Sequence, residues 1–410
     1  MTADTVACPH CGRHVQRDTF CTECGSPLAH TEAPTAGLPE QTPPRPWWRR
    51  RRNIAVVAGG TVAAALLAGG VVTALEATGA EAVKTASATA PSGARVLPGW
   101  STTATWNASG VHGRVAVTAD GRLLGSATGD TVTVRTASTG TVLRTTTLDG
   151  SARGGVFAAM IDGRPALVAY TATTLTTWSG KHASPHTMAL PKGGTVQIRT
   201  GALFVTAGAA VSVVDDDDLV PVTSPRSGAA PLGRTDDGRI LWASARGEVI
   251  TAAINGTILH TASLARPAKG AALGGWRAAT PAVVWVRWTR PGKAPVLVAH
   301  RVGTGAAVTT TTPLPDGVTA TSQDGRDVLV DGAWFTADGV LRPMPEEFVA
   351  SRFVGAAVYG ATTRGDAALL TGTRLQSAGI PDVVPVAVTA GRDLVTVTGG
   401  HIATYPPTTK

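Results

Sequence analysis

Cysteine is nearly missing: the 410 residues hold four, at positions 8, 11, 21 and 24, so no disulfide framework can staple the chain beyond Cys24. Charged residues reach only 16% and aromatics 5%, against 48 glycines and 27 prolines. That balance excludes a long coiled coil, a mostly helical bundle and a wholly disordered chain. The sequence also has no Gly-x-Ser-x-Gly elbow, no His-Glu-x-x-His pair and no phosphate loop, so no catalytic motif stands out and the chain reads as a non-enzyme. From about Arg95 onward, helix-period runs are absent as well. In their place stand short runs of Val, Leu, Ile and Thr separated by Asp-Gly, Thr-Gly, Gly-Gly and Pro, the pattern of many short antiparallel strands.

The charge surplus depends on where it sits. A net charge of +8 is compatible with nucleic acid or an anionic membrane surface. Residues 1–53 carry net +2 and the remainder net +6, and outside one arginine cluster the basic residues are spread singly among strands and turns. No basic patch interleaved with aromatics exists, so nucleic acid is not an expected partner. The cluster Arg49-Arg50-Arg51-Arg52 suits the anionic lipid of an inner leaflet, at about 1 kcal/mol per residue near the surface.

Four segments precede the strand-rich region: a cysteine segment (1–28), a proline-rich linker (29–48), a basic flank with an apolar run (49–75) and a second linker (76–98). The linker at 29–48 is an extended spacer with no core to bury. The run from Ile54 to Leu75 has 22 residues and no charge. At 1.5 Å per residue it spans about 33 Å, enough for a hydrocarbon core of about 30 Å. Trp47 and Trp48 suit the interface, and the arginines facing Glu76 and Glu81 follow the positive-inside bias. The expectation is a single transmembrane helix in the plasma membrane, with the amino terminus cytoplasmic and the carboxyl-terminal part extracellular. A secretory signal is the weaker reading despite Ala80-Glu81-Ala82, because more than fifty residues precede the run. Small residues such as Gly59, Gly60 and Gly69 permit helix pairing, which leaves the oligomeric state open.

Cys8-Pro9-His10-Cys11 and Cys21-Thr22-Glu23-Cys24 are two CxxC knuckles nine residues apart, each followed by glycine, Gly12 and Gly25. Four thiolates complete a closed tetrahedral shell, the arrangement of structural zinc, with no open position for water or substrate. A dithiol redox site needs a CxxC at a helix start in an α/β unit, which this short polar segment does not offer. From Cys8 to Leu28 the segment resembles the short zinc ribbons at the ends of many bacterial membrane proteins. That resemblance implies a cytoplasmic module that binds another protein, with the metal supplying the folding free energy.

Beyond residue 98 the chain repeats. Val115-Ala116-Val117-Thr118-Ala119 recurs as Val386-Ala387-Val388-Thr389-Ala390, and Gly140-Thr141-Val142-Leu143 as Gly256-Thr257-Ile258-Leu259. First strands are expected near Val115, Val156, Val196, Leu232, Leu273, Val318, Phe353 and Val386, a spacing that fits four-stranded propeller blades. The fold expected over 99–410 is an all-β propeller of eight blades, with seven left open by the arithmetic. The last copy has only three strands, so the fourth is expected from around Trp100 to Trp106, closing the ring. The phrase Thr131-Val132-Thr133-Val134-Arg135, then Thr139-Gly140-Thr141-Val142-Leu143, resembles the repeats of pyrroloquinoline-quinone-type propellers, of which WD40 propellers are near neighbours. The family's tryptophan after the Thr-Gly turn is replaced by Arg144 or His260, and the vicinal cysteines of its quinone pocket are missing.

Several side chains stand out in the propeller region. Asp215-Asp216-Asp217-Asp218 reads as the turn between two strands of the third blade rather than a calcium loop, since it lacks the spaced ligand pattern. His182 and His186 read as part of a polar loop. Trp285, Arg287 and Trp288, near Trp276, are either blade packing or an aromatic ligand site. Arginine-rich, lysine-poor usage with abundant Ala, Gly and Thr resembles that of high-GC actinobacteria. The preferred functional reading is a single-pass membrane scaffold or sensor. Its external propeller binds a protein or cell-envelope ligand, and its zinc ribbon binds a cytoplasmic partner. The alternative is an exported quinoprotein-like oxidoreductase or hydrolase working in the propeller funnel.

Overall fold

Valine, leucine and threonine runs of four to six residues, cut by turns, can bury both faces only if sheets stack on either side of each other. The computed structural model describes residues 5–7, 14–16 and 96–408, apart from 112–113, 201, 217, 315–316, 380–382 and 399. Over 96–408 it is an eight-bladed β-propeller of antiparallel blades, with no helix among the described residues.

Blade 1 runs from Ala116–Val117 to Val142–Thr147, blade 2 from Phe157–Ile161 to Ser184–Ala189, and blade 3 from Thr195–Arg199 to Asp218–Val222. Blade 4 runs from Ala230–Arg234 to Ile258–Ser263, blade 5 from Ala272–Ala279 to Ala307–Thr311, and blade 7 from Phe348–Val354 to Arg374–Gly379. Blade 6 has three strands, Ala320–Thr321, Asp327–Val330 and Ala333–Thr336, and its fourth is reduced to a single bridge between Phe335 and Leu341. Blade 8 is built of Val384–Val388, Leu394–Thr398 and His401–Tyr405, completed by Trp106–Ala108 from the other end of the domain. All eight expected strand starts fall in, or within two residues of, the innermost strand of their own blade, which removes the seven-blade alternative.

The core is divided as this stacking requires, into eight apolar clusters, one per blade interface. Trp178 and Val134 pack between blades 2 and 1, Phe204 and Trp242 between blades 3 and 4, and Trp334 and Phe353 between blades 6 and 7. The interface that seals the ring joins Ala387, Val395 and Ile402 of blade 8 to Val117 and Leu124 of blade 1, with Trp106 between them. The Trp106 indole Nε1 donates to Ala137 O at 3.1 Å, and Trp100 bridges Pro407 beyond the strand.

One phrase shapes many hairpins. In Thr118-Ala119-Asp120-Gly121 the threonine Oγ1 donates to Asp120 at 2.6 Å and accepts from Leu123 N at 3.0 Å, while Gly121 takes φ +70°. Ser322-Gln323-Asp324-Gly325 repeats this, with Ser322 Oγ donating to Asp324 at 2.7 Å and accepting from Asp327 N at 2.9 Å. Local side-chain hydrogen bonds and a left-handed glycine specify the turn.

Before residue 96, only Thr5–Ala7 paired antiparallel with His14–Gln16 is described. The expected zinc ligands Cys8, Cys11, Cys21 and Cys24, the linkers, Trp47, Trp48 and Arg49 to Arg52, and the apolar run Ile54 to Leu75 lie outside the described residues. No helix among the described residues is long and apolar enough to cross a membrane.

Candidate functional site

In a propeller the first strand of each blade lines the central channel, and the hairpins leading out of these strands gather at one mouth. Here that mouth is spanned by Gln323 of blade 6. Its Nε2 donates to Val388 O at 2.8 Å and to Thr118 O at 3.0 Å, and its Oε1 accepts from Val388 N at 3.1 Å. One amide thus ties blade 6 to blades 8 and 1, reaching past blade 7. A cavity of about 180 Å³ lies beside it, walled by Asp120, Asp324, Ala356 and Thr389 among others. Gly121 allows the close approach there, since a Cβ would lie 2.4 Å from Ala390 N.

Arginines come from the first strands, or just before them, of alternate blades. Arg114 stands two residues before the first strand of blade 1, and Arg199, Arg277 and Arg352 lie in the first strands of blades 3, 5 and 7. Arg277 Nε approaches the buried Asp331 carboxylate at 3.2 Å. Burial pushes the Asp331 pKa up against the pull of Arg277 and Arg287. Burial lowers Arg199, whose Nη2 donates to Gln197 Oε1 at 3.3 Å. Arg114 is lowered by burial first and by the Arg352 charge second, with Tyr170 acting the other way. The Arg114 side chain is exposed to solvent. At the hairpin mouth Arg234 of blade 4 pairs with Asp162 of blade 2 at 2.6 Å and Asp215 of blade 3 at 2.8 Å.

The sequence candidates fall elsewhere. Trp285 is 0% and Trp288 3% exposed, so neither offers an aromatic face to a ligand and that reading is corrected. The physical reason is the stacking: Trp285 packs toward Phe335 of blade 6 at 5.7 Å between ring centroids, and Trp288 packs in the blade 4–5 cluster. Over Val283–Val286 both faces of the strand Val283–Arg290 are therefore core, where alternation had suggested one exposed face, and exposure begins only toward its end at Thr289. Arg287 is half-buried between them, within the field of Asp331. Asp215 and Asp218 pair across a hairpin whose turn includes Asp216 at φ +48°, as the sequence reading had it. His182 sits in a turn, but His186 belongs to the outer strand Ser184–Ala189 rather than a loop. Among the described residues no three His, Cys, Asp or Glu side chains converge as metal ligands.

The channel arginines and Gln323 were not singled out from sequence. The usable signal was a lone arginine near the end of several first strands, together with a Ser-Gln-Asp-Gly turn where the copies of blades 1 and 8 have Ala119 and Ala390. No protein-family model matches the sequence, and no curated protein matches it. Among solved structures, BamB from Moraxella catarrhalis is similar at 14% identity and a TM-score of 0.42, over 72% of this chain and 96% of its own. Sqt1 from Saccharomyces cerevisiae is similar at 13% identity and a TM-score of 0.43, over 74% of this chain and 98% of its own. A chain of the mitotic checkpoint complex follows at 14% identity and 0.39, over 84% and 99%. The count of eight blades rests on the strand pairing of this chain alone.

Proposed function

We propose that the protein is a single-pass membrane scaffold or sensor whose extracellular propeller binds a protein or cell-envelope ligand and whose cytoplasmic zinc ribbon binds a partner. The observation that carries the reading is the closure of the ring by Trp106–Ala108: the propeller is complete without any residue before 96. The preceding segment is then free to serve as tether and second module. Its 22-residue uncharged run supports the membrane anchor. The pairing of Thr5–Ala7 with His14–Gln16, which brackets Cys8 and Cys11, supports a zinc knuckle. A rigid ring offering loops on two broad faces fits a protein-binding role, and zinc here is structural.

All four cysteines lie in the segment assigned to the cytoplasm, which makes topology directly measurable. A membrane-impermeant maleimide applied to intact cells should leave the chain unlabelled, and should label it after permeabilisation with a zinc chelator. Labelling of intact cells, or recovery of the full chain in the soluble fraction, would overturn the assignment. Proximity labelling from each face would then collect the two sets of partners.

A further inference from the structure

Two of the channel arginines, Arg114 and Arg352, stand apart from Arg277. Arg114 and Arg352 form no ion pair among the described residues, whereas Arg277 has Asp331 and Arg234 has two aspartates. The Arg114 guanidinium lies 4.8 Å from the centre of the Phe157 ring, which stacks on Tyr170 at 5.9 Å. Arg352 Nη1 donates at 3.3 Å to the neutral carbonyl of Pro385 in blade 8. The fold nonetheless fixes both. Val156 N donates to Arg114 O at 3.2 Å, and Gly155, at φ +89°, allows a contact in which a Cβ would lie 2.6 Å from Arg114 N. Arg352 sits at a bulge between the first two strands of blade 7.

Arg352 reaches Pro385 in the first strand of blade 8, and that strand packs beside the first strand of blade 1, which Arg114 precedes, so the two like charges flank one strand, where they repel each other and an anion between them would relieve the repulsion. The Arg352 charge helps to depress the Arg114 pKa, and it opposes the burial that raises Tyr359. Guanidinium forks match the planar carboxylate and the phosphate group alike.

We propose that Arg114 and Arg352 form an anion-binding site inside the propeller channel that takes one carboxylate or phosphate group of a ligand, with Phe157 holding the Arg114 guanidinium in place. This goes beyond the membrane reading and fails separately from it, since binding by the purified chain is independent of topology.

The test uses the full chain in detergent at low ionic strength, with inorganic pyrophosphate and citrate as probes and calorimetry and thermal melting as readouts. At least one probe should bind and raise the melting temperature. Arg352→Gln and Arg114→Gln should each weaken binding about tenfold or more, and Arg226→Gln, in an outer ion pair with Glu248, should not. Response to pyrophosphate alone assigns a phosphate ligand, and response to citrate alone a carboxylate. Without probe, Arg352→Gln should melt no lower than the parent chain, because a repulsion is removed. Binding of neither probe, equal binding by the double variant, or a lower melting point of unliganded Arg352→Gln would overturn the proposal.

Discussion

His300 shows how much a single buried polar side chain can set. It is 0% exposed, accepts from Trp288 Nε1 at Nε2 (3.1 Å) and donates from Nδ1 to Gly305 O (3.1 Å). Only the neutral Nδ1–H tautomer satisfies both bonds. Burial lowers its pKa, partly opposed by the Gly305 bond. The unfolded chain therefore binds a proton that the folded chain refuses, so this contribution is complete above the ordinary histidine pKa of about 6.5 and declines as pH falls below it. His300→Phe should flatten that part of the acid limb in denaturant melts at pH 5 and 7.5. It should also cost about 1–3 kcal/mol at pH 7.5 by leaving the Trp288 N–H without its acceptor. An unchanged acid slope would show that other groups set it. At this scale the sequence was legible where chemistry is local: Asp-Gly turns and the Asp215 hairpin announce themselves within four residues. Trp285 and Trp288 were ambiguous because alternation reports that two faces differ, not that both are covered, and only neighbouring blades decide that. The channel arginines were illegible for the converse reason: a single charge in a strand looks like a solvent-facing position until the strand proves to be the innermost one.

Among the elements, the three-residue strand Trp106–Ala108 has the largest consequence for its length. The missing fourth strand of the last repeat made it readable, although the sequence placed it in the wider window from Trp100. Blade 6 was less readable. Gly339-Val340-Leu341-Arg342 resembles the other fourth strands, yet after Arg342 N donates to Trp334 O at 2.7 Å the chain meets Pro343 and Pro345, which cannot donate to a ladder. Trp106 is 4% exposed, and Gly140, at φ +71°, lies so close that a Cβ would sit 2.5 Å from the indole. Trp106→Ala should cost about 3–5 kcal/mol, with faster hydrogen exchange confined to blades 8 and 1 before other blades are affected. Uniform acceleration around the ring would mean that closure is shared evenly among the interfaces.

For the whole molecule, a ring of similar units gains stability from each interface with its neighbour, and a closed ring has one more interface than the same units in an open row. The extra interface here is that of blades 8 and 1, sealed by Trp106 at 4% exposure, while Leu97 at 1% and Ala104 at 4% pack into the adjoining interface of blades 7 and 8. A chain beginning at residue 94 keeps all of this. It should melt at the temperature of the full-length protein and be indifferent to zinc chelators, since every cysteine lies before that point. A chain beginning at residue 110 loses Leu97 and Trp106 together, on the order of 6 kcal/mol by large-to-small core precedents. With about 2.1 cal/mol/K of unfolding entropy per residue over roughly 300 residues, that corresponds to a fall of on the order of 10 °C. The comparison separates the two halves of the molecule. If the shorter truncation already lowered the melting point, the segment before 94 would be part of the propeller's fold; if neither did, the ring would hold without its amino-terminal strand, and the assignment of Trp106–Ala108 as its closure would fail.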